Sequence, residues 1–322
     1  MVPGVIGLSV VVPCYNVERY VAETLRSLRR SAAPDIEFLF VDDASTDATP
    51  AILETAAAQL PGSRILTCEA NGGLAAARNV GIGAAQGEYI SFLDGDDFVA
   101  PDYYPTLVDT IRRLGCEMVR TDHVQVRGRE RSVHRINHGP RRVVSSPRRA
   151  ILPVDRVTSV DAPHAWAGIY HRRLADAGLL YFSPELRTCE DRPWNWRLHL
   201  HARSFAVVGL LGLHYRRDVA NSLTRVADER QLDFVQAFDR IVELVEADPD
   251  SKCLLPKAIR SYCAIILHHL SQSSRYTPEL AQELVRRCQQ ALRRLPAHAL
   301  HEVLTAMDQP RARRLTALLG EA

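Results

Sequence analysis

Short, mainly apolar runs alternate with segments of 3.6-residue periodicity through the first third of the chain. Residues 8–12 and 36–41, apolar but for Ser9 and Glu37, read as strands buried on both faces. Between them Tyr20, Val21, Leu25 and Leu28 fall on one side of a helix. Thr46 or Asp47 is placed to cap a helix running to Leu60, with Pro50 tolerated in its first turn. Residues 64–68, 89–93 and 116–121 predict further strands; 73–85 and 103–114 predict helices. This alternation implies βαβ units and a mostly parallel sheet, whose ligands bind beyond the carboxyl ends of the strands. After residue 228 the pattern is purely helical: 232–245, 254–270, 278–295 and a last pair across 297–319. The expected fold class is therefore α/β, a mostly parallel twisted sheet flanked by helices, followed by an all-α C-terminal region. The expected domains are 1–225 and 226–322.

A net charge of only +2 excludes a polycation that seeks nucleic acid through its overall field. The balance is uneven, however. Between residues 112 and 149 eleven arginines face three acidic residues, Glu117, Asp122 and Glu130. Val124, Val126, Val133 and Ile136 predict a hairpin inside that stretch, either a solvated surface or a face for an anionic acceptor or a phospholipid surface. It interleaves no aromatic platform for nucleic acid. The charge-balanced terminal helices are candidates for packing, acceptor docking or contact between copies of the chain. The seven cysteines form no C-x-x-C pair, which argues against a zinc site or a disulfide framework and fits a reducing cytoplasm. No apolar run approaches the ~20 residues of a membrane helix, and the N-terminus does not read as a signal peptide. A cytoplasmic location, at most against the inner face of a membrane, is expected.

Chemistry concentrates where the predicted strands end. Asp94-Gly95-Asp96-Asp97 places three carboxylates within four residues of a turn. Like charges about 5 Å apart cost roughly 3 kcal/mol per pair at an effective dielectric near 20, so a hard divalent cation, Mg²⁺ or Mn²⁺, is expected among them. Pro13-Cys14-Tyr15-Asn16 ends the first strand and Asp42-Asp43 the second, while Asn71-Gly72-Gly73 leads toward Arg78. An aromatic face, carboxylates, a guanidinium and a metal site make the inventory of a nucleoside-diphosphate pocket. A decoy, residues 81–87, has the glycines of a dinucleotide fingerprint at the wrong spacing and at the end of a helix.

Four segments, 9–16, 41–47, 71–81 and 87–97, in this order and spacing resemble the family 2 inverting glycosyltransferases, nucleotide-sugar enzymes of GT-A fold. The resemblance is firm to about residue 102 and patchy to about 224. It implies a nucleotide-sugar part at about 1–122, an acceptor side at about 123–225, and transfer of a hexosyl or N-acetylhexosaminyl group from a UDP-sugar. It places Pro13 and Tyr15 on the base, Asp42 and Asp43 on base or ribose, Asn71 and Arg78 on base or diphosphate, and Asp94 and Gly95 on the donor. Asp94 and Asp96 form its D-x-D metal motif, joined by His214 from Leu213-His214-Tyr215; Arg216 or Arg217 would meet phosphate. Asp191 in Cys189-Glu190-Asp191-Arg192 matches the catalytic base, with Glu190 positioning the acceptor. Asp191 also precedes a predicted helix as a candidate N-cap. Trp166, Glu190 and Trp194 are the expected acceptor contacts, and the lysine common two places after that tryptophan is Gly168 here. The acceptor expected is a surface polysaccharide, a lipid-linked glycan or a small molecule. The competing readings are transfer to a small natural product or peptide, and a non-catalytic scaffold that binds nucleotide-sugar.

Overall fold

A computed structural model describes residues 6–219, 223 and 226–320. The boundary expected at 225 lies outside the described residues. The chain runs β1 (Leu8–Cys14), α1 (Val21–Arg29), β2 (Ile36–Asp42), α2 (Thr49–Ala57), β3 (Ser63–Thr67), α3 (Leu74–Ala84), β4 (Tyr89–Phe92), β5 (Phe98–Val99), α4 (Tyr103–Leu114), β6 (Met118–Thr121), β7 (His123–Arg127) and β8 (Glu130–His134). It continues β9 (Gly168–His171), α5 (Arg173–Asp176), α6 (Asp191–His201), β10 (Phe205–Val208) and β11 (Leu213–Arg216). The helices α7 (Asp233–Glu246), α8 (Ser251–Ser271), α9 (Pro278–Arg294), α10 (Ala297–Ala306) and α11 (Gln309–Leu319) follow.

Seven strands form the main sheet in the order β10-β6-β9-β4-β1-β2-β3. All are parallel except β9, which pairs antiparallel with both β4 and β6. Every residue of β1 and β2 is buried, which accounts for their mainly apolar sequences, and the buried Ser9 hydroxyl donates to Glu37 at 2.6 Å. Four strands, β5-β11-β7-β8, make a second sheet. Its β7–β8 hairpin is the one expected from the valine pattern. The helix after β2 is shorter than predicted, ending at Ala57, and Asp47 lies before it with Oδ1 accepting the Thr49 N–H.

Two hydrophobic cores result. One fills both sides of the main sheet; the other joins α7–α11 to Ile151, Val160, Trp196 and Leu200. Helix α6 serves both cores. Trp194 points into the first and Trp196, two residues on and therefore about 200° round the helix, into the second. A second tie comes from Asp233 at the start of α7, whose Oδ2 accepts the N–H groups of Arg187 (2.7 Å) and Thr188 (3.2 Å). These residues lead directly to Glu190 and Asp191.

Candidate functional site

Parallel pairing brings the ends of β1, β2 and β4 side by side, and the expected donor clusters lie there. The turn after β4 is pinned by its backbone. Gly95 N–H donates to the Pro13 carbonyl (3.1 Å), and a Cβ on Gly95 would come within 2.9 Å of both that oxygen and Cys14 Sγ. Only glycine lets the carboxylate turn approach β1 this closely. Thr24 Oγ1 donates to the carbonyls of Gly95 and Asp97, fixing the turn from α1.

Pro13 is buried beneath this turn, while Tyr15 offers a ring 48% exposed at the sheet edge. Asp42 is buried and accepts the Ser45 N–H at 3.2 Å. Asp43 does something the sequence did not suggest. Its two oxygens accept the N–H groups of Gly72 and Gly73, both at 2.8 Å, and Asn71 Nδ2 at 3.0 Å. The carboxylate thereby clasps the 71–73 loop, so Asp43 and Asn71 shape that loop. Arg187, which sequence reasoning missed, reaches over Gly73; its Nη1 stands 3.4 Å from Asn71 Oδ1. No local signal marks it, because the loop that carries it lies more than a hundred positions away in sequence.

Arg78 joins the donor side to the acceptor side. Its guanidinium donates to Asp94 Oδ1 at 2.9 Å and to Glu190 Oε1 at 2.8 Å, is 2% exposed, and sits over the Phe182 ring. Burial alone would lower its pKa, but the Asp94 and Glu190 carboxylates hold it above the ordinary arginine value. Asp191 is the first residue of α6, and Glu190, not Asp191, occupies the capping position; no side-chain cap bond forms there. The Asp191 carboxylate accepts no hydrogen bond from the described residues, and burial raises its pKa. It is thus a free, moderately basic carboxylate beside a buried cation. Cys189, just before the pair, is held at φ +59°, a strained conformation that recurs at functional turns.

The other carboxyls carry the electrostatic stress expected of them. Burial, then Asp94, pushes Asp96 up to about 7, and burial pushes Glu190 up to about 7 despite Arg78. Burial also raises Asp97 well above the ordinary carboxylate value; its Oδ1 accepts the Arg216 N–H and its Oδ2 is buried without a partner. Between the ordinary carboxylate values of 3.8 and 4.5 and about 7, the cation-free folded protein binds more protons at Asp96 and Glu190 than the unfolded chain does. Its stability should fall as pH rises through that window. Urea midpoints at pH 5 and pH 8 measure this, and the drop should shrink in Asp96→Asn. An equal drop in that variant would refute the assignment.

Asp94 and Asp96 suit a divalent cation of the kind that takes one or two protein carboxylates and completes its shell with substrate phosphates. Their repulsion and the orphaned Asp97 oxygen beside them are the structural grounds for that fit. His214 is not part of it. No three histidine, cysteine, aspartate or glutamate side chains converge on a metal position among the described residues. The His214 ring instead stacks on Phe98 at 4.8 Å, with Nδ1 sealed without a partner. Arg216 is likewise committed elsewhere, from Nε to the Asp96 carbonyl (2.8 Å) and from Nη2 to Glu23 (2.9 Å).

Both tryptophans expected to meet the acceptor are covered. Trp166 is 4% exposed, with His164 stacked on its face at 4.6 Å. Trp194 is 1% exposed, stacked on Phe182 at 5.0 Å, and donates Nε1–H to the Leu180 carbonyl. Neither offers a free face to a sugar; burial of large aromatic area outweighs any such use.

A family model described as glycosyl transferase family 2 matches residues 9–175. The uncharacterized glycosyltransferase EpsJ of Bacillus subtilis (strain 168) is 30% identical over 226 residues, 70% of this chain and 65% of that protein. The poly(ribitol-phosphate) beta-N-acetylglucosaminyltransferase TarS of Staphylococcus aureus (strain Mu50) is 28% identical over 246 residues, 74% of this chain and 41% of that one. The chain thus spans less than two thirds of the length of these relatives. The crystal structure of S. aureus TarS 1-349 in complex with UDP-GlcNAc superposes with a TM-score of 0.72 at 20% identity, covering 98% of this chain and 92% of that one. That likeness establishes the fold: a GT-A-type mostly parallel sheet followed by helices.

Proposed function

The chain belongs to glycosyl transferase family 2, and from that premise we propose that it transfers a sugar from a UDP-sugar to an acceptor hydroxyl with inversion, using Mn²⁺ or Mg²⁺, in the synthesis of a surface polysaccharide or related glycan. The observation that carries the reading is the Asp94–Arg78–Glu190 bridge. It ties the carboxylate turn at the end of β4 to a free carboxylate, Asp191, on the neighbouring helix. A TarS fragment of this fold binds UDP-GlcNAc, which supports a UDP-sugar as donor.

In this reading the exposed ring of Tyr15 and the buried Asp42 receive the base and ribose. Asp191 takes the proton of the acceptor hydroxyl as its oxygen attacks the anomeric carbon. The new C–O bond forms on the face opposite the breaking bond to UDP, and the sugar inverts. Arg78 holds Glu190 in position beside Asp191, and Arg187 supplies a positive charge near the 71–73 loop. When bound at Asp94 and Asp96, the cation neutralises charge that develops on the leaving diphosphate.

Calorimetric titration with UDP-, GDP- and dTDP-sugars, with and without Mn²⁺, tests the donor assignment. One UDP-sugar should bind, and chelation of the metal should weaken UDP by about tenfold or more, the worth of one charge-assisted contact of about 2 kcal/mol. The metal-dependent increment should vanish in Asp96→Asn. Binding of UDP that is indifferent to metal in both proteins would remove the cation from the mechanism.

A further inference from the structure

The second sheet has two faces of opposite character. Side chains alternate along its strands, and the register aligns His123 with His134, Gln125 with Ser132 and Tyr215, and Arg127 with Glu130. One face therefore carries Val124, Val126, Arg131, Val133, His214 and Arg216. It turns inward: Val126 is buried, His214 stacks on Phe98, and Arg216 lies over Phe98. The other face carries His123, Gln125, Arg127, Ser132 and Tyr215 and turns away from that core.

This outer face divides along its length. At one end Trp166 packs on Tyr215 (5.0 Å), His164 stacks on Trp166, and His123 meets it edge-on at 4.8 Å. At the other end opens a cleft of about 450 Å³ lined by Gln125, Arg127, Glu130, Arg131, Ser132 and Arg217. Three guanidinium groups line it against one carboxylate. None of the three forms an ion pair among the described residues; the Arg217 guanidinium donates to the Tyr215 hydroxyl (2.9 Å), and Arg131 Nη1 donates to the Gly128 and Glu130 carbonyls (2.8 and 2.9 Å). A fixed guanidinium fork matches phosphate and carboxylate oxygens.

A series of packed side chains runs from the cleft to the helix that carries the proposed base. Asn195 lies one turn after Asp191 on α6. Its Oδ1 accepts from the fully buried Arg120 (2.6 Å), which also donates to the His164 carbonyl (3.0 Å). His164, Trp166, Tyr215 and Arg217 follow in contact.

We propose that this sheet face is the acceptor platform and that the acceptor is anionic. A phosphate or carboxylate group of a polyol or glycan chain seats on Arg127 and Arg217, while a hydroxyl further along the chain reaches Asp191. The inference rests on the transferase reading and deepens it. Because a layer of aromatic rings separates the cleft from α6, the acceptor is an oligomer and not a single sugar. A bounded cleft containing Glu130 suits discrete anionic groups better than the broad surface of a membrane.

The test uses the full chain and four probes: a glycerol-phosphate oligomer, an oligogalacturonate, a neutral dextran oligosaccharide and vesicles containing anionic phospholipid. The expected result is binding of the phosphate or the uronate oligomer, with affinity falling steeply with salt. Which of the two binds names the anionic group. Arg127→Gln/Arg217→Gln should weaken it by about tenfold or more, and Glu130→Gln, which removes the one opposing charge, should tighten it. Equal binding of dextran, an unchanged affinity in the double variant, or vesicle binding without oligomer binding would each overturn the proposal. UDP titration of the same proteins reads the donor pocket separately, so failure of the transferase reading gives a different pattern.

Discussion

Asp191→Asn should slow sugar transfer by about 10²–10⁴-fold, the usual contribution of a positioned general base, while UDP-sugar affinity stays within about twofold. The substitution keeps the side chain's shape and, because the carboxylate accepts no bond from the described residues, leaves no internal donor unpaired. Loss of rate without loss of donor binding is the signature of an interaction made in the transition state. The pH profile supplies a second readout. Burial lifts the Asp191 carboxyl above its ordinary value, so transfer by the native protein should rise with pH as this group ionises, and residual transfer by the variant should lack that limb. Transfer at near-native rate would remove Asp191 from the role of base.

Arg78→Met should be the most damaging single change to stability. Removing one member of a buried ion pair typically costs about 3–5 kcal/mol, because the other charge is left uncompensated. Here two carboxylates, Asp94 and Glu190, lose the same partner. The cost should depend on pH with a definite sign. Glu190 already sits near 7 with Arg78 beside it; without the cation its folded value rises further. The unfolded chain then releases its proton at lower pH than the folded one, so the variant loses stability as pH rises from about 4.5 upward. Urea denaturation at pH 8 should therefore show most of the loss, and at pH 5 much less. Arg78→Met/Glu190→Gln should recover part of it. Arg78→Lys should not, since a point charge cannot hold two carboxylates in separate directions. A loss below about 1 kcal/mol at pH 8 would mean that the bridge is not the link between the two sides.

What could be read beforehand lay in local pattern. The mainly apolar runs identified β1 and β2 because strands buried on both faces show no regular polar alternation. The carboxylates after β4 stood out because their mutual repulsion requires compensation. What escaped was set by long-range pairing. Strand β9 enters antiparallel between β4 and β6, and four residues cannot announce their direction. That Asp43 also clasps the loop at 71–73 escaped because its neighbours in sequence said nothing of the loop that folds onto it. His214 read as a metal ligand from position alone, yet strand alternation turns it toward Phe98 while Tyr215 faces the other way. Trp166 and Trp194 show the same effect: an aromatic that could stack on a sugar is more favourably spent in a core when the fold offers one.

The division of α6 between two cores limits how such a chain can be re-engineered. Trp196 is held by the terminal helices, and Asp233 at their start grips the peptide units at 187 and 188. A chimera that exchanged everything after residue 226 for a foreign module would strip an indole bare on the helix that begins with Asp191 and release the strained turn at Cys189. Its defect would surface as slow turnover with an intact donor pocket, easily mistaken for the wrong choice of acceptor. The transplantable unit is the loop 185–190 together with α6 and α7, and recombination that respects this seam should preserve turnover where a cut at the boundary expected from the sequence would not.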